Sequence, residues 1–200
     1  MQRDRIFLLS PASTGGKRAA QLLNPAATFD LAVRLRTDGV FLGEAFAFLS
    51  GLYFRGKLAY ARHFARITDD VLVLTAGRGM LSPDVRVIRD DLAAFAERRI
   101  DLNDVAYVSA LRADAEHIAG LQPESVILLG SIASGKYVDV LLPIFGERLV
   151  FPREFVGRGD MSRGGLMLRS VAENAELTYI PVEGAARRGS RPPKLQAVRR

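Results

Sequence analysis

Short, continuously hydrophobic runs, separated by longer amphipathic stretches, constrain the fold of this chain more than any other feature of its sequence. The runs RIFLLS at 5–10, VLVLTA at 71–76 and SVILLG at 125–130 contain too few polar residues for strands with one solvated face. They are therefore predicted to be strands buried on both faces, as in a parallel sheet covered by helices. Two more strands are predicted later in the chain, at 148–151 and 177–182. Pro181 places the second of these at an edge of the sheet.

The amphipathic stretches between the runs predict helices at 54–65, 91–99, 113–119, 136–145 and 163–172. Alternation of strands and helices is typical of the α/β class, and it predicts a single three-layer domain with a mostly parallel central sheet over residues 1–186. A chain of 200 residues is long enough to bury one complete core without disulfides or a structural metal. Residues 187–200 combine Gly, Ser, Pro and basic residues, and are predicted to form an extended basic tail.

The composition excludes several classes of site. The chain contains no cysteine, which removes disulfides, thiolate zinc sites, iron–sulfur clusters and cysteine nucleophiles. Two histidines, His63 and His117, are too few for a multi-histidine metal site. The apolar runs are too short for a signal peptide or a membrane span. We therefore expect a cytoplasmic protein that has no metal, no cofactor and no contact with a membrane.

The excess of positive charge is concentrated in the tail. The formal net charge is +6, and the tail contributes six basic residues and no acid. These residues are Arg187, Arg188, Arg191, Lys194, Arg199 and Arg200. Guanidinium groups bind phosphates well, so the tail predicts a nucleic-acid partner. Six phosphate contacts on duplex DNA would give a log–log salt dependence with a slope of about −5.

Four predicted strands are followed by polar, glycine-rich segments. In open parallel sheets ligands bind beyond the carboxyl ends of the strands, so these segments are expected to meet at one site. Glycines allow close approach of the backbone, and hydroxyl and cationic side chains bind anions. The predicted ligand carries phosphate, and the alternative is a set of four tight turns with solvated arginines. The candidate binding residues are Ser10, Ser13, Lys17, Arg18, Arg78, Ser131, Lys136, Arg158, Ser162 and Arg163.

The segment from Gly130 to Lys136 matches the spacing G-x-x-x-x-G-K of a phosphate-binding loop between a strand and a helix. Such a loop continues with Ser or Thr, which holds magnesium, whereas this chain has Tyr137. The sequence thus argues against hydrolysis of a nucleoside triphosphate. Lys136 remains a candidate phosphate contact.

Asp160 is the candidate catalytic residue. It lies in an arginine- and glycine-rich segment that precedes a predicted helix. The functional interpretation makes Asp160 a carboxylate that activates water, with Arg158 and Arg163 as anion ligands. The structural interpretation, which stays open, is an Asp–Arg pair in a capped turn.

The central segment contains Leu52-Tyr53, Ala59-Tyr60-Ala61 and VLVLTAGRGMLSPD at 71–84, and the chain opens with FLLSPAST after a few residues. These motifs resemble those of the YaaA-like family and of a related domain of unknown function. In those proteins a Leu-Tyr pair and a helix precede a hydrophobic strand that ends in a Ser-Ala-x-x-Gly-Leu-Leu-x-Pro turn. The match covers about 40% of the chain, and it implies DNA binding and protection against oxidative stress.

The second half of the chain has a strand ending at Gly130-Ser131, then a helix, a strand ending at Pro152 and a late Ser/Arg/Gly loop. This order of elements is similar to that of the uracil-DNA glycosylase superfamily. That resemblance implies a base pocket at the end of the first strand and a loop that inserts into DNA. This chain has no histidine in the late loop, and it has Ser10-Pro11-Ala12 in place of Asp-Pro-Tyr.

Three functions stay open at this point. The first is a nucleic-acid-binding α/β protein, including one that excises or modifies a base in the manner of a DNA glycosylase. The second is an enzyme that acts on a free nucleotide or a phosphorylated metabolite. The third is a non-catalytic adaptor that binds nucleic acid through its tail.

Overall fold

The computed structural model describes residues 5–193 and 195, and it has the predicted α/β architecture. In chain order the elements are β1 (Arg5–Leu9), α1 (Lys17–Leu23), α2 (Asp30–Thr37), β2 (Val40–Phe41), α3 (Leu42–Ser50), α4 (Leu52–Phe64), β3 (Val71–Leu74), β4 (Met80–Leu81), β5 (Arg86–Val87), α5 (Arg89–Glu97), α6 (Val105–Gly120), β6 (Ser125–Leu129), α7 (Gly135–Phe145), β7 (Leu149–Pro152), α8 (Asp160–Glu173) and β8 (Tyr179–Pro181). Single 3-10 turns lie at Thr68–Asp70, Gly146–Arg148 and Arg153–Phe155.

The central sheet has six strands in the order β4-β3-β1-β6-β7-β8. The four inner strands β3, β1, β6 and β7 run parallel, and the two edge strands β4 and β8 run antiparallel to their neighbours. Pro181 lies in edge strand β8, as predicted. Strands β2 and β5 form a separate two-stranded sheet.

Burial of the inner strands confirms the interpretation of the hydrophobic runs. Every side chain from Ile6 to Leu9 and from Val126 to Leu129 is fully buried. Such strands can have no solvated face, so helices must flank the sheet on both sides. Helix α4 packs against α3 and α8, and α6 packs against α7. The predicted three-layer α/β domain is therefore confirmed.

Strand order places a topological switch point at the centre of the sheet. The chain leaves β1 for β3 on one side and later returns to β6 on the other side of β1. The connections that follow β1 and β6 therefore diverge, and a crevice opens between them at the carboxyl ends of these strands. Ligands of open α/β sheets bind in this kind of crevice.

Helices α4 and α8 cross at two glycines. A Cβ atom on Gly56 would lie 2.6 Å from the carbonyl oxygen of Gly164, and one on Gly164 would lie 2.6 Å from the carbonyl oxygen of Leu52. Both contacts are with backbone, which cannot rotate away. The absence of side chains here lets α4 approach α8 closely, and this approach fixes Asp160 at the start of α8 relative to the residues of α4.

We predict that Gly164→Ala lowers the free energy of unfolding by about 1–3 kcal/mol, because an added methyl group must push the two helices apart. The matched control is Gly165→Ala, one residue along the same helix, where the new Cβ would meet only a side-chain atom of Leu195 at 3.6 Å. That variant should gain about 0.5–1 kcal/mol from helix propensity. Urea unfolding of both variants tests the prediction, and equal stabilities would contradict it.

Candidate functional site

A cleft of about 600 Å³ opens at the carboxyl ends of β1 and β6, at the switch point of the sheet. Its volume lies in the range of small-molecule sites, which is roughly 300–1,000 Å³. Residues 10–15, which follow β1, form one wall, and residues after β6 and at the start of α7 form another. Helix α5 and the turn after it close a third side, through Phe95 and residues 98–101.

The lining of the cleft combines aromatic rings with charged and hydroxyl groups. Four rings face it: Phe46, Tyr53, Phe95 and Tyr137. The charged groups are three cations and two carboxylates: Arg98, Arg99, Lys136, Asp101 and Asp160. The hydroxyl groups come from Ser10, Ser13, Thr14, Ser50 and Ser131. Such a lining suits a ligand that has both a planar ring and an anionic group.

A fully buried lysine lies beneath this cleft. Lys57, on α4, is 0% exposed, and its Nζ atom donates a hydrogen bond of 2.8 Å to Ser10 Oγ and a second one to the carbonyl oxygen of Ser10. Its Nζ atom also lies 4.2 Å from the centre of the Tyr53 ring. Ser10 itself is buried but reaches the lining of the cleft, so it lies between Lys57 and a ligand bound in the cleft.

Burial lowers the pKa of Lys57 from its ordinary value of 10.5 to about 7. The cause is desolvation, since a charged ammonium is far less stable inside the protein than in water. The Asp160 carboxylate raises the pKa of Lys57 by a smaller amount, and the Arg163 guanidinium lowers it. Near neutral pH the neutral amine is therefore a major form of Lys57.

Tyr53 brings an unused hydrogen-bond donor to the same place. Its side chain is 7% exposed, and among the residues that the structure describes its hydroxyl group has no hydrogen-bond partner. Burial raises the pKa of Tyr53, while the nearby Arg163 guanidinium opposes that rise. The phenol thus keeps its proton at neutral pH and can donate it to a ligand.

Five of the residues predicted from the sequence line the cleft: Ser10, Ser13, Ser131, Lys136 and Asp160. All four predicted loops contribute to the cleft, and the loop after β3 does so only through Ala76. Asp160 is at the first position of α8, and its side chain is 68% exposed. Its carboxylate lies 3.8 Å from Arg163 Nη1.

The other predicted binding residues lie outside the lining of the cleft, and most of them have partners within the protein. Arg78 pairs with Asp91 at 3.0 Å, and Arg18 donates to the carbonyl oxygen of Phe48. Lys17 is exposed at the start of α1.

The arginines near the start of α8 also have internal partners. Arg158 donates to the Ser162 hydroxyl at 3.2 Å and to the carbonyl oxygen of Glu154, while Arg163 donates to the carbonyl oxygen of Phe155. Helix α8 begins at Asp160 with Gly159 as its N-cap, three residues earlier than the sequence predicts, so Ser162 lies within the first turn.

A second depression, which we call the α8 groove, lies beside the cleft and has a volume of about 790 Å³. Residues 158–162 and 165, Arg169 and the tail residues 191–193 and 195 line it. The tail is held close here, because a Cβ on Gly157 would lie 2.0 Å from the carbonyl oxygen of Ser190. Asp160 lines both the cleft and the α8 groove.

The described part of the basic tail has an irregular backbone. Arg187 Nη2 lies 3.9 Å from Asp139 Oδ1, whereas Arg188 and Arg191 are exposed. Lys194, Arg199 and Arg200 lie outside the described residues.

Sequence reasoning missed Lys57, Arg98 and Arg99. For Lys57 a signal is present, because Tyr53, Lys57 and Tyr60 recur at helical spacing and all three are buried on one face of α4. A lysine at a buried position of such a stripe indicates a special environment. For Arg98 and Arg99 the sequence offers no comparable signal, since they follow α5 as an ordinary basic pair.

Comparisons of the chain with models of protein families, with curated proteins and with solved structures found no match. Within residues 5–193 and 195, no helix is long and apolar enough to span a membrane. The function must therefore be inferred from the site itself.

The lowered pKa of Lys57 predicts a pH dependence of stability. Between about pH 7 and 10.5 the unfolded chain binds a proton at Lys57 that the folded chain has lost, so stability rises with pH in this window. The expected slope is up to ~1.4 kcal/mol per pH unit, and it vanishes below about pH 7.

Lys57→Met is the matched control, because it removes the titrating group from both states. The stability of the wild type relative to this variant should rise with pH, as measured by urea unfolding at about pH 6, 8 and 9.5. A difference that does not change with pH would show that Lys57 titrates normally in the folded protein.

Proposed function

We propose that the protein binds a strand of nucleic acid, holds one of its nucleotides in the cleft and hydrolyses a bond of that nucleotide. The observation that carries this proposal is the position of Asp160, which lines both the cleft and the α8 groove. A free nucleotide would occupy only one depression of the surface, the cleft. A strand needs a pocket for one unit and a continuous path for its neighbours.

The lining of the cleft supports a nucleotide as its ligand. Tyr53 and Tyr137, which are 7% and 4% exposed, border the cleft and offer a small apolar surface to a base. Arg98, Arg99 and Lys136 supply positive charge for a phosphate group in the same cleft, although Arg98 Nη1 also lies 3.7 Å from Asp104 Oδ2. A sugar and a base fit within about 600 Å³.

The α8 groove supports a path for the flanking phosphates. Arg158, Arg169 and Arg191 line it, and Asp160 is the acidic residue in that lining. Exposed Arg188 lies in the same tail segment as Arg191, three residues before it. These guanidinium groups would bind the backbone without regard to sequence.

Asp160 is the proposed water-activating carboxylate. Its exposed side chain lies where the cleft meets the α8 groove, within reach of water and of a bound strand. The resemblance to the uracil-DNA glycosylase superfamily implies the bond between base and sugar as the target. The YaaA-like resemblance independently implies DNA as the partner.

A second candidate is an enzyme that acts on a free nucleotide or another phosphorylated metabolite. The observation in its favour is that the described residues that line the cleft lie between positions 10 and 160, so the described part of the tail contributes none of them. In that case the cleft binds the ligand and the α8 groove takes no part in binding.

Binding to a fluorescein-labelled single-stranded oligonucleotide, followed by anisotropy at several salt concentrations, separates the two candidates. We predict that the double variant Arg188→Ala/Arg191→Ala binds more weakly and that its log–log salt slope is less steep by about 1.4, which corresponds to two lost phosphate contacts on a single strand. Binding of a mononucleotide, followed by calorimetry, should be unchanged in this variant.

The matched control is Arg55→Ala/Arg112→Ala, which removes the same charge at two exposed positions outside both depressions. Its salt slope should equal that of the wild type. If the wild type binds mononucleotides but no oligonucleotide, the second candidate replaces the first.

A further inference from the structure

We propose that Ser10 is a nucleophile activated by Lys57, and that it attacks the phosphorus atom of a phosphoester in the cleft. This inference rests on the proposed function only for the phosphorylated ligand. It differs from base excision, since the bond that breaks is between phosphorus and oxygen rather than between sugar and base.

The geometry of the pair supports the assignment. Lys57 Nζ is 2.8 Å from Ser10 Oγ, within the distance over which a base can take a proton from a hydroxyl group. Lys57 is fully buried, and Ser10 separates it from the cleft. A lysine in this position acts on a ligand through the serine.

The position of Ser10 is fixed by the sheet. It follows β1 directly, its backbone N–H donates to the carbonyl oxygen of Leu129, and its hydroxyl group donates a hydrogen bond of 3.4 Å to the same carbonyl oxygen. Gly130 leaves room for it, because a Cβ there would lie 3.1 Å from Ser10 Cβ. A nucleophile on such a rigid support is held in one orientation, as attack on a bound ligand requires.

Phosphorus is the favoured electrophile because of the charges that share the cleft with Ser10. Arg98, Arg99 and Lys136 can hold the non-bridging oxygens of a phosphoryl group and stabilise the charge that spreads over them during transfer. Tyr53 adds a buried hydroxyl donor without a partner among the described residues, suited to the oxygen that leaves.

Among the described residues, the Tyr53 ring lies against Lys57, and the charges of Asp160 and Arg163 act on its pKa. Tyr53 lies on the same helix, and Asp160 and Arg163 come from α8, which packs across it. The two charges from α8 act in opposite directions on Lys57, so desolvation dominates. A neutral amine is the form that can accept the proton of Ser10.

The reaction balances in two steps. In the first, the Ser10 proton passes to the Lys57 amine, Oγ bonds to phosphorus, the ester oxygen leaves, and Tyr53 gives that oxygen a proton. In the second, water bonds to phosphorus while Asp160 takes its proton. The bond from Oγ to phosphorus then breaks, Lys57 returns the proton to Ser10, and the proton on Asp160 passes to the Tyr53 phenolate.

The test uses a fluorophosphonate, a phosphorus electrophile that forms a stable bond to an activated serine and releases fluoride. Intact-mass measurement and peptide mapping of the full chain should show one adduct, on Ser10. The labelling rate should rise with pH to a plateau, with a midpoint near the pKa of Lys57, about 7. Labelling elsewhere, no labelling, or a rate that keeps rising beyond about pH 9 would overturn the assignment.

Variants separate activation from mere exposure of a serine. Ser10→Ala should not be labelled, and Lys57→Met should be labelled at least about 100-fold more slowly, the effect of losing a general base. Ser109→Ala, at an exposed position on α6, should be labelled like the wild type. Circular dichroism checks that each variant is folded. A folded Lys57→Met that reacts at the wild-type rate would remove Lys57 from the mechanism.

Failure of this inference can be told apart from failure of the proposed function. Fluorophosphonate labelling needs no nucleic acid, and oligonucleotide binding needs no nucleophile. Labelling of Ser10 without oligonucleotide binding keeps the activated serine and rejects the nucleic-acid ligand. Oligonucleotide binding without labelling of Ser10 keeps the nucleic-acid ligand and rejects the activated serine. Release of a free base from an intact strand would favour base excision over phosphoryl transfer.

Discussion

The hydrogen bonds between Lys57 and Ser10 join the helical layer to the central strand of the sheet, and the cleft depends on them. They place an amino group, fully desolvated, directly beneath the carboxyl end of β1. Burial of an ammonium is unfavourable unless it is compensated, and two acceptors on Ser10 together with the Tyr53 ring compensate only part of it. The remaining cost appears as the lowered pKa of Lys57. Strongly shifted ionisable groups in clefts are a mark of functional sites.

The rest of the architecture serves to bring distant parts of the chain to this point. The strand order sends the connections after β1 and β6 in opposite directions, which opens the crevice. The glycine crossing of α4 and α8 then brings Asp160, at the start of α8, to the edge of the same crevice. Residues separated by 150 positions in the sequence thus share one cleft. The fold explains why the cleft combines a buried base, hydroxyl groups and cations.

Much of the fold can be predicted from sequence, because the inner strands are buried on both faces and therefore appear as unbroken hydrophobic runs. Helices α1, α2 and α3 were not predicted, since α3 lies in an apolar stretch without clear periodicity and the other two are only seven and eight residues long. Within the candidate site, loops that follow strands could be placed by topology alone. The partners of Arg78 and Arg163 could not, because a side chain that bonds to Asp91 or to a distant carbonyl looks the same in sequence as one that binds an anion.

The site depends on Lys57 being largely a neutral amine near physiological pH, and the titration of Lys57 can be followed directly. The chain contains four lysines, so carbon-13 labelling of lysine gives few side-chain Cε signals, and Lys57→Met assigns the one of interest. We expect the Lys57 signal to titrate with a midpoint of about 7. A midpoint near 10.5 for Lys57 in the folded protein would show that burial does not lower its pKa.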